Sequence, residues 1–168
     1  MDKVGIFYGS STGNTRDAAT QLRGAFGERN ADLYDVSEVT AERVLQYRNL
    51  VFAASTWGTG EMQDDWERFL PALRRLDLAE KRIALLALGD QQNYPETFAG
   101  WMGALADELV AAGGVVVGST EVRKYAFSAS NSVRDGRFLG LVLDEDNQAG
   151  LSAERIARWV RQLRREFA

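Results

Sequence analysis

The stretch VGIFYGSSTGNT, Val4 to Thr15, sets the architecture, because it joins a short apolar run to a turn of small residues. The run 4–8 is typical of a buried strand, and a helical pattern begins at Thr15. Backbone N–H groups at such a helix N-terminus, with nearby hydroxyls, bind a phosphate. The turn lacks the lysine and the glycine spacing of a Walker loop, and it does not fit GxGxxG. It predicts a phosphate anchor, and the alternative is a small-residue turn without a ligand.

Similar apolar runs recur along the chain and alternate with helical patterns. Runs such as VFAAS and IALLAL are apolar at successive positions, which is typical of strands covered on both faces. The pattern predicts an α/β fold with a parallel sheet between two helix layers, and ligands beyond the carboxyl ends of the strands. The predicted strands are 4–8, 31–36, 50–54, 83–88, 115–117 and 138–143, and the predicted helices are 15–26, 41–46, 65–73, 98–112 and 152–167.

Local signals refine this outline. Ser152 is expected to cap the last helix at its N-terminus, and Gly113 and Gly114 are expected to end the helix before them. Residues 119–138 lack a helical pattern and are long for a connection, so they form a functional excursion or an inserted hairpin that interrupts the last strand. Otherwise residues 1–168 are predicted to form a single domain.

The composition excludes several kinds of chemistry. The chain has no Cys and no His, which removes disulfides, thiol nucleophiles, iron–sulfur clusters, the usual zinc sites and histidine acid–base catalysis. A redox cofactor must therefore be organic and bound without these side chains. The chain shows neither a long apolar run nor a basic leader, so we expect a cytoplasmic location. The net charge of −4 argues against nucleic-acid binding, and the arginine-rich helix 152–167 is expected to have a solvated face.

Two further loops follow predicted strands at the same sheet edge. The loop ASTWGTGE places Trp57 in a polar turn, where it serves as a platform for a flat ligand or folds back onto the core. The loop GDQQNYPETF places Tyr94 in a second polar turn, where a plain surface tyrosine is the alternative. Two aromatic residues and a phosphate cradle together predict a site for a planar, phosphorylated ligand.

The combination of STGNT, TWGTGE and GDQQNY resembles the flavodoxins over essentially the whole chain. The segment 119–138 followed by LGLVLDEDNQ resembles their long-chain branch. The resemblance implies a flavodoxin-like three-layer sandwich. Its five-stranded parallel sheet has the order 2-1-3-4-5, with helices on both faces and the last strand interrupted by the insertion. It also implies a non-covalently bound flavin mononucleotide (FMN) and no metal.

The resemblance implies a role for each loop in holding the cofactor. The first holds the phosphate, Trp57 and Tyr94 sandwich the ring, Thr56 contacts the ribityl chain, and Asp90 meets the pyrimidine edge. Asp146 is assigned to the ribityl chain as well. The implied cofactor contacts are Ser10, Ser11, Thr12, Gly13, Asn14, Thr15, Ser55, Thr56, Trp57, Gly58, Thr59, Gly60, Gly89, Asp90, Asn93, Tyr94 and Phe98.

By the same resemblance the chain is a low-potential one-electron carrier, not an enzyme. It shuttles between semiquinone and hydroquinone, as a monomer, between a flavodoxin reductase or similar donor and a low-potential acceptor enzyme. Rotation of the Gly58-Thr59 peptide is expected to stabilise the semiquinone. Acidic residues near the ring, such as Glu61 and Asp65, make a reduced anionic ring costly. The insertion, with Arg123, is expected to recognise partners, and neither membrane nor nucleic acid is a partner.

Other functions of this fold remain as alternatives. An FMN-dependent NAD(P)H quinone- or nitro-reductase is the main one. A receiver domain needs acids after the first and third strands, where this chain has Gly9-Ser10 and Ser55-Thr56. A low-molecular-weight phosphatase needs a cysteine in the first loop. A binding module that has lost its flavin is the last alternative.

Overall fold

Strands and helices alternate along the chain, of which a computed structural model describes residues 1–57 and 59–168. The strands are β1 (Val4–Tyr8), β2 (Ala31–Asp35), β3 (Asn49–Trp57), β4 (Glu61–Met62), β5 (Arg82–Leu88), β6 (Val115–Val117), β7 (Thr120–Glu121), β8 (Val133–Arg134), β9 (Arg137–Phe138) and β10 (Leu141–Leu143). The α-helices are α1 (Asn14–Phe26), α2 (Asp64–Leu73), α3 (Trp101–Ala111), α4 (Glu145–Gln148) and α5 (Ser152–Glu166), and 3₁₀ turns span Ala41–Gln46 and Ala149–Leu151.

The main sheet is parallel and runs in the order β2-β1-β3-β5. Beyond β5 the next position is shared by two segments. β6 pairs with the first half of β5, from Arg82 to Ala84, and β10 pairs with the second half, from Leu86 to Leu88. Both pairings are parallel, so β6 and β10 together form the fifth strand. With β5 as the fourth strand of the sheet and β6 with β10 as the fifth, the predicted order 2-1-3-4-5 and the interrupted last strand are confirmed.

The insertion between β6 and β10 has a sheet of its own. β7, β9 and β8 pair antiparallel in that order. The predicted strand 138–143 is wrong at its start, because Phe138 lies in β9 and β10 begins at Leu141. The chain changes sheets between them at Gly140, where a Cβ atom would lie 2.0 Å from the carbonyl oxygen of Leu85. Only glycine permits this close approach to β5. Because the sequence is apolar throughout residues 138–143, it does not indicate that the chain leaves one sheet and joins the other.

Both faces of the main sheet are covered by helices. On one face of the sheet, Val4, Ile6 and Tyr8 of β1 pack with Leu22 of α1 and Trp159 of α5. Phe7, the next residue, points to the opposite layer and packs with Trp66 of α2 and the residues around it. Alternation along one strand therefore feeds two separate cores, which explains the continuous apolar runs. No helix of the described residues is both long and apolar enough to span a membrane.

Two helix ends test the local predictions. Gly113 adopts φ 96°, and its N–H donates to Val110 O while the N–H of Gly114 donates to Leu109 O, so these glycines end α3 as expected. The prediction for Ser152 is wrong. It is the first residue of α5, and its hydroxyl donates to a carboxylate oxygen of Glu145 instead of capping the helix.

Candidate functional site

Three loops meet where β1, β3 and β5 end. These strands are neighbours in the sheet, so their carboxyl ends lie side by side. Gln63 Nε2 donates to Ser11 Oγ over 3.1 Å and joins the second loop to the first. A Cβ atom built on Gly60 would lie 3.5 Å from Cβ of Thr97, which joins the second loop to the third. The structure thus brings together the loops on which the sequence places the site.

The first loop leaves the start of α1 open. Gly13 precedes the helix with φ 96°, and no side chain of the described residues caps it. Its own N–H donates to Ser10 Oγ over 3.0 Å, and the loop is drawn into a tight turn. The next N–H groups, from Asn14 onward, begin an α-helix and have no partner within it. Ser11, Thr12 and Asn14 are exposed, whereas Thr15 is buried.

Gln63 and Gly9 position this loop, and Gln63 is not among the predicted site residues. The buried Gln63 caps α2, because its Oε1 accepts from the N–H groups of Asp65 and Trp66. A Cβ atom on Gly9 would lie 2.3 Å from the same Oε1, so the loop passes closely over the capping amide. The signal in the sequence is a polar residue directly before the acidic start of a helix, although glutamine is an uncommon cap.

The second loop begins with a buried hydroxyl. Ser55 and Thr56 are half-buried at the end of β3, and Thr56 Oγ1 has no hydrogen-bond partner among the described residues. Thr59 is exposed, and Gly60 adopts φ 96° before β4 turns back onto β3. The side chain of Trp57 and the whole of Gly58 lie outside the described residues, so their roles stay predictions.

The third loop is organised by Asp90. Its carboxylate accepts from the N–H groups of Gln92 and Asn93, from Asn93 Nδ2 over 2.6 Å and from Asn147 Nδ2 over 2.9 Å. Burial raises the pKa of Asp90, but these hydrogen bonds outweigh it and hold the pKa below its usual range. The carboxylate therefore stays charged while it shapes the loop. Tyr94, at the tip, has a side chain that is 44% exposed, as a surface for stacking requires.

Phe98 and Gly89 play a packing role. Phe98 is only 1% exposed, and its ring packs against Tyr125, Phe127 and Phe138 in the insertion. A Cβ atom on Gly89 would lie 2.9 Å from Cε1 of Phe98. The ring therefore offers no surface to a ligand, and it instead fixes the distance between the third loop and the insertion.

A buried carboxylate that is not among the predicted site residues connects the third loop to the rest of the fold. Asp144 is 0% exposed, and its Oδ2 accepts from both N–H and Nε2 of Gln91. Its Oδ1 accepts from the N–H of Asn147 and caps α4. Gln91 Oε1 in turn accepts from the N–H of Ala126 in the insertion. Asp146, also on α4, is exposed, and burial together with Asp90 and Asp144 raises its pKa.

These features define a class of protein: a doubly wound α/β fold whose ligand lies at the carboxyl ends of its central strands. Comparison with known proteins identifies the family within that class. The profile of the family described as Flavodoxin matches residues 6–159. The chain belongs to the flavodoxin family.

Relatives cover the chain from end to end. It is 42% identical to a flavodoxin of Helicobacter pylori over 168 residues, with 100% of both chains covered. It is 41% identical to a flavodoxin of Picosynechococcus sp., with 99% of both covered. Among solved structures, a Fusobacterium nucleatum flavodoxin bound to flavin mononucleotide superposes with a TM-score of 0.95 at 30% identity, with 100% of both chains covered.

Proposed function

We propose that this chain carries electrons by means of a non-covalently bound FMN. The family to which it belongs consists of electron-transfer proteins, and its F. nucleatum relative was crystallised with this cofactor. When bound, FMN supplies one-electron and two-electron redox chemistry. The protein supplies the anchor, the stacking surface and the charge around them.

The observation that carries this proposal is the open start of α1. Gly13 at φ 96° leaves the first N–H groups of the helix without a side-chain cap, next to the hydroxyls of Ser10 and Ser11. Amides, hydroxyls and a helix N-terminus suffice for a phosphate that only anchors a cofactor. The Thr56 hydroxyl, which has no partner among the described residues and lies on the strand between the two other loops, provides a further donor for a polyhydroxyl chain. The residues present therefore fit FMN, and we assign to them the contacts that the resemblance implies, except Phe98.

The surroundings of the site oppose the build-up of negative charge. Glu61, Asp64 and Glu67 are exposed beside the second loop, and Asp65 is half-buried there. Asp90 stays charged at the third loop because its pKa is lowered. Carboxylates near a site make each added negative charge less favourable. We therefore assign a low reduction potential to the second electron.

The chain's other assignments follow from this role. We propose that it has no catalytic residue of its own, acts as a monomer in the cytoplasm, and exchanges electrons with a reductase and a low-potential acceptor. The three-stranded insertion between β6 and β10 supports the long-chain branch of the family, within one domain of 168 residues. Contacts between redox partners are small and steered by charge, so recognition needs only a modest surface.

A flavin titration tests the proposal. The protein freed of flavin is titrated with FMN, and flavin fluorescence is followed. We expect one FMN per chain, with quenching of its fluorescence. In Tyr94→Ala the dissociation constant should rise about 3- to 10-fold, because stacking contributes about 0.5–1.5 kcal/mol. Tyr94→Phe should retain the affinity. Failure of the wild-type protein to take up FMN would overturn the proposal.

A further inference from the structure

A cleft lies between the insertion and α5, away from the three loops after β1, β3 and β5, which we call the flavin loops. The cleft, of about 360 Å³, opens beside the outer strand of the sheet. It shares no lining residue with the three loops. Its lining residues are Thr120, Glu121, Arg123, Lys124, Tyr125, Arg137, Leu141, Leu151, Glu154, Arg155, Arg158, Trp159 and Gln162.

The lining is cationic in a chain whose net charge is −4. Five lining residues are Arg or Lys and two are Glu. Arg123 pairs with Glu121 over 2.9 Å, and Arg137 donates to the hydroxyl and carbonyl oxygens of Ser119. Ser119 is neutral, so the charge of Arg137 remains, and within the lining Glu154 alone opposes it and the charges of Lys124, Arg155 and Arg158. The cleft therefore carries a local positive field that favours an anion.

Arg155 is the central group of this cleft. Its Cζ atom lies 4.1 Å from the ring centroid of Tyr125, so the guanidinium stacks on an aromatic face. The ring is held in place because the Tyr125 hydroxyl donates to the carbonyl oxygen of Val142. Nη1 and Nη2 are buried and have no hydrogen-bond partner among the residues described. Buried donors without partners are rare, and a guanidinium fork matches the two oxygens of a phosphate or carboxylate.

Lys124 adds an independent observation at the same cleft. Its φ is 70°, in the left-handed region that few residues other than glycine adopt. Gln148 Nε2 donates to its carbonyl oxygen over 2.7 Å and holds the backbone in this conformation. Backbone strain of this kind concentrates at binding sites, where a side chain must be placed accurately. A lysine at this position costs backbone energy and adds a positive charge to the lining.

We propose that this cleft binds a small molecule that carries an oxyanion group, a phosphate or a carboxylate. Arg155 is its main partner, and Lys124 and Arg158 add charge. The volume of about 360 Å³ is that of a small-molecule site. The site is separate from the flavin loops, so the proposal goes beyond the electron-carrier function.

The test uses the FMN-loaded protein, so that the cofactor already fills the first loop. Pyrophosphate and citrate are titrated separately at low salt, and binding is measured by calorimetry. We expect saturable binding of at least one of them at one site per chain. Tighter binding of pyrophosphate would identify phosphate as the ligand class, and tighter binding of citrate would identify carboxylate.

Three variants separate the site from general charge. Arg155→Met keeps the length of the stem and should weaken binding at least tenfold. Arg161→Met is the matched control, because Arg161 is an exposed arginine of α5 outside the lining, and it should stay within twofold of wild type. Lys124→Gly should weaken binding several-fold without lowering the melting temperature, because glycine suits φ 70°.

The proposal fails if neither anion binds saturably to wild type, or if Arg155→Met and Arg161→Met bind equally. If Arg155→Met does not fold, wild-type affinity in Lys124→Gly overturns it instead. If the protein takes up no FMN, the same comparison of variants is made without it. The two proposals therefore fail by different measurements.

Discussion

The flavin loops and the cleft between the insertion and α5, which we call the arginine cleft, offer different groups to an anion. Between Gly9 and Thr15 the first loop has no charged side chain, and it offers backbone N–H groups and hydroxyls at the start of α1. The cleft beside α5 has four cationic side chains that form no ion pair with the described residues, and the fork of Arg155 is buried. One region therefore relies on oriented dipoles and the other on full charges.

This difference predicts different specificity. Dipoles act at short range, so the first loop holds a phosphate only when the backbone has the correct shape. Full charges act over a distance comparable to the Debye length and are weakened by salt. The loop is therefore expected to be sensitive to backbone changes, and the cleft to charge and salt. Gln91 joins the third loop to the insertion through the N–H of Ala126, and Asp144 holds Gln91 in place.

The largest effect is expected for Asp144→Ala. This change leaves the buried donors of Gln91 and the start of α4 without their acceptor, and unpaired buried groups cost about 1–3 kcal/mol each. The free energy of unfolding should fall by about 3 kcal/mol in urea denaturation. Asp107→Ala, which removes an exposed pair with Arg134, is the control and should cost less than about 1 kcal/mol. Equal losses would show that the buried hydrogen bonds of Asp144 contribute no more to stability than an exposed ion pair.

A smaller and more local effect is expected for Gly13→Ala. At φ 96° an alanine is strained by about 1–3 kcal/mol, although its Cβ would meet no atom within 4 Å. Gly136, at φ 73° in an exposed turn and equally free of contacts, provides the matched control. Both variants should lose similar stability, but only Gly13→Ala should raise the dissociation constant for FMN, by about tenfold. A rise of the same size in Gly136→Ala would refute the role of the loop shape.

The strands of the main sheet could be predicted from the sequence because both of their faces are buried. The run 4–8 contains no polar break, and β1 spans those residues. The run 138–143 is equally apolar, yet the chain changes sheets within it. That change depends on the contact between Gly140 and the backbone of Leu85, far apart in sequence. The hydrophobic pattern of a strand indicates that its residues are buried, but it does not indicate which other strand it pairs with.

The position of the site could be predicted where residues close together in sequence have chemistry typical of a binding loop. The loops after β1, β3 and β5 were found because glycine, hydroxyl and aromatic residues follow apolar runs. Phe98 looks like part of the third loop in sequence, but it is buried against the insertion. Gln63 and Asp144 were missed because their roles require partners 52 and 53 positions away. The guanidinium of Arg155 has no hydrogen-bond partner among the described residues and stacks on Tyr125, an arrangement that forms only when the insertion packs onto α5.

The smallest effect is expected at high pH, where the free energy of unfolding depends on Tyr125, a lining residue of the cleft. Burial raises the pKa of Tyr125 to about 12, with Asp144 adding to the rise and Arg155 opposing it. The unfolded chain loses this phenolic proton near its ordinary value of about 10. The folded protein keeps it longer, so stability is fully present below pH 10 and falls as the pH rises from 10 to 12. The loss should reach about 1 kcal/mol by pH 11.

Tyr125→Phe isolates this contribution. Tyr47 also has a raised pKa, caused by burial and the hydrogen bonds with Asp32 and Tyr34, so wild type and variant share its alkaline loss. Urea denaturation at pH 8 and pH 11 should show a smaller decrease for Tyr125→Phe, by about 1 kcal/mol. Phenylalanine retains the aromatic face under Arg155, so anion binding in the cleft should stay within about twofold at pH 8. An identical pH dependence in both proteins would mean that the phenol is not held in its neutral form, and the ring would then be anchored by packing alone.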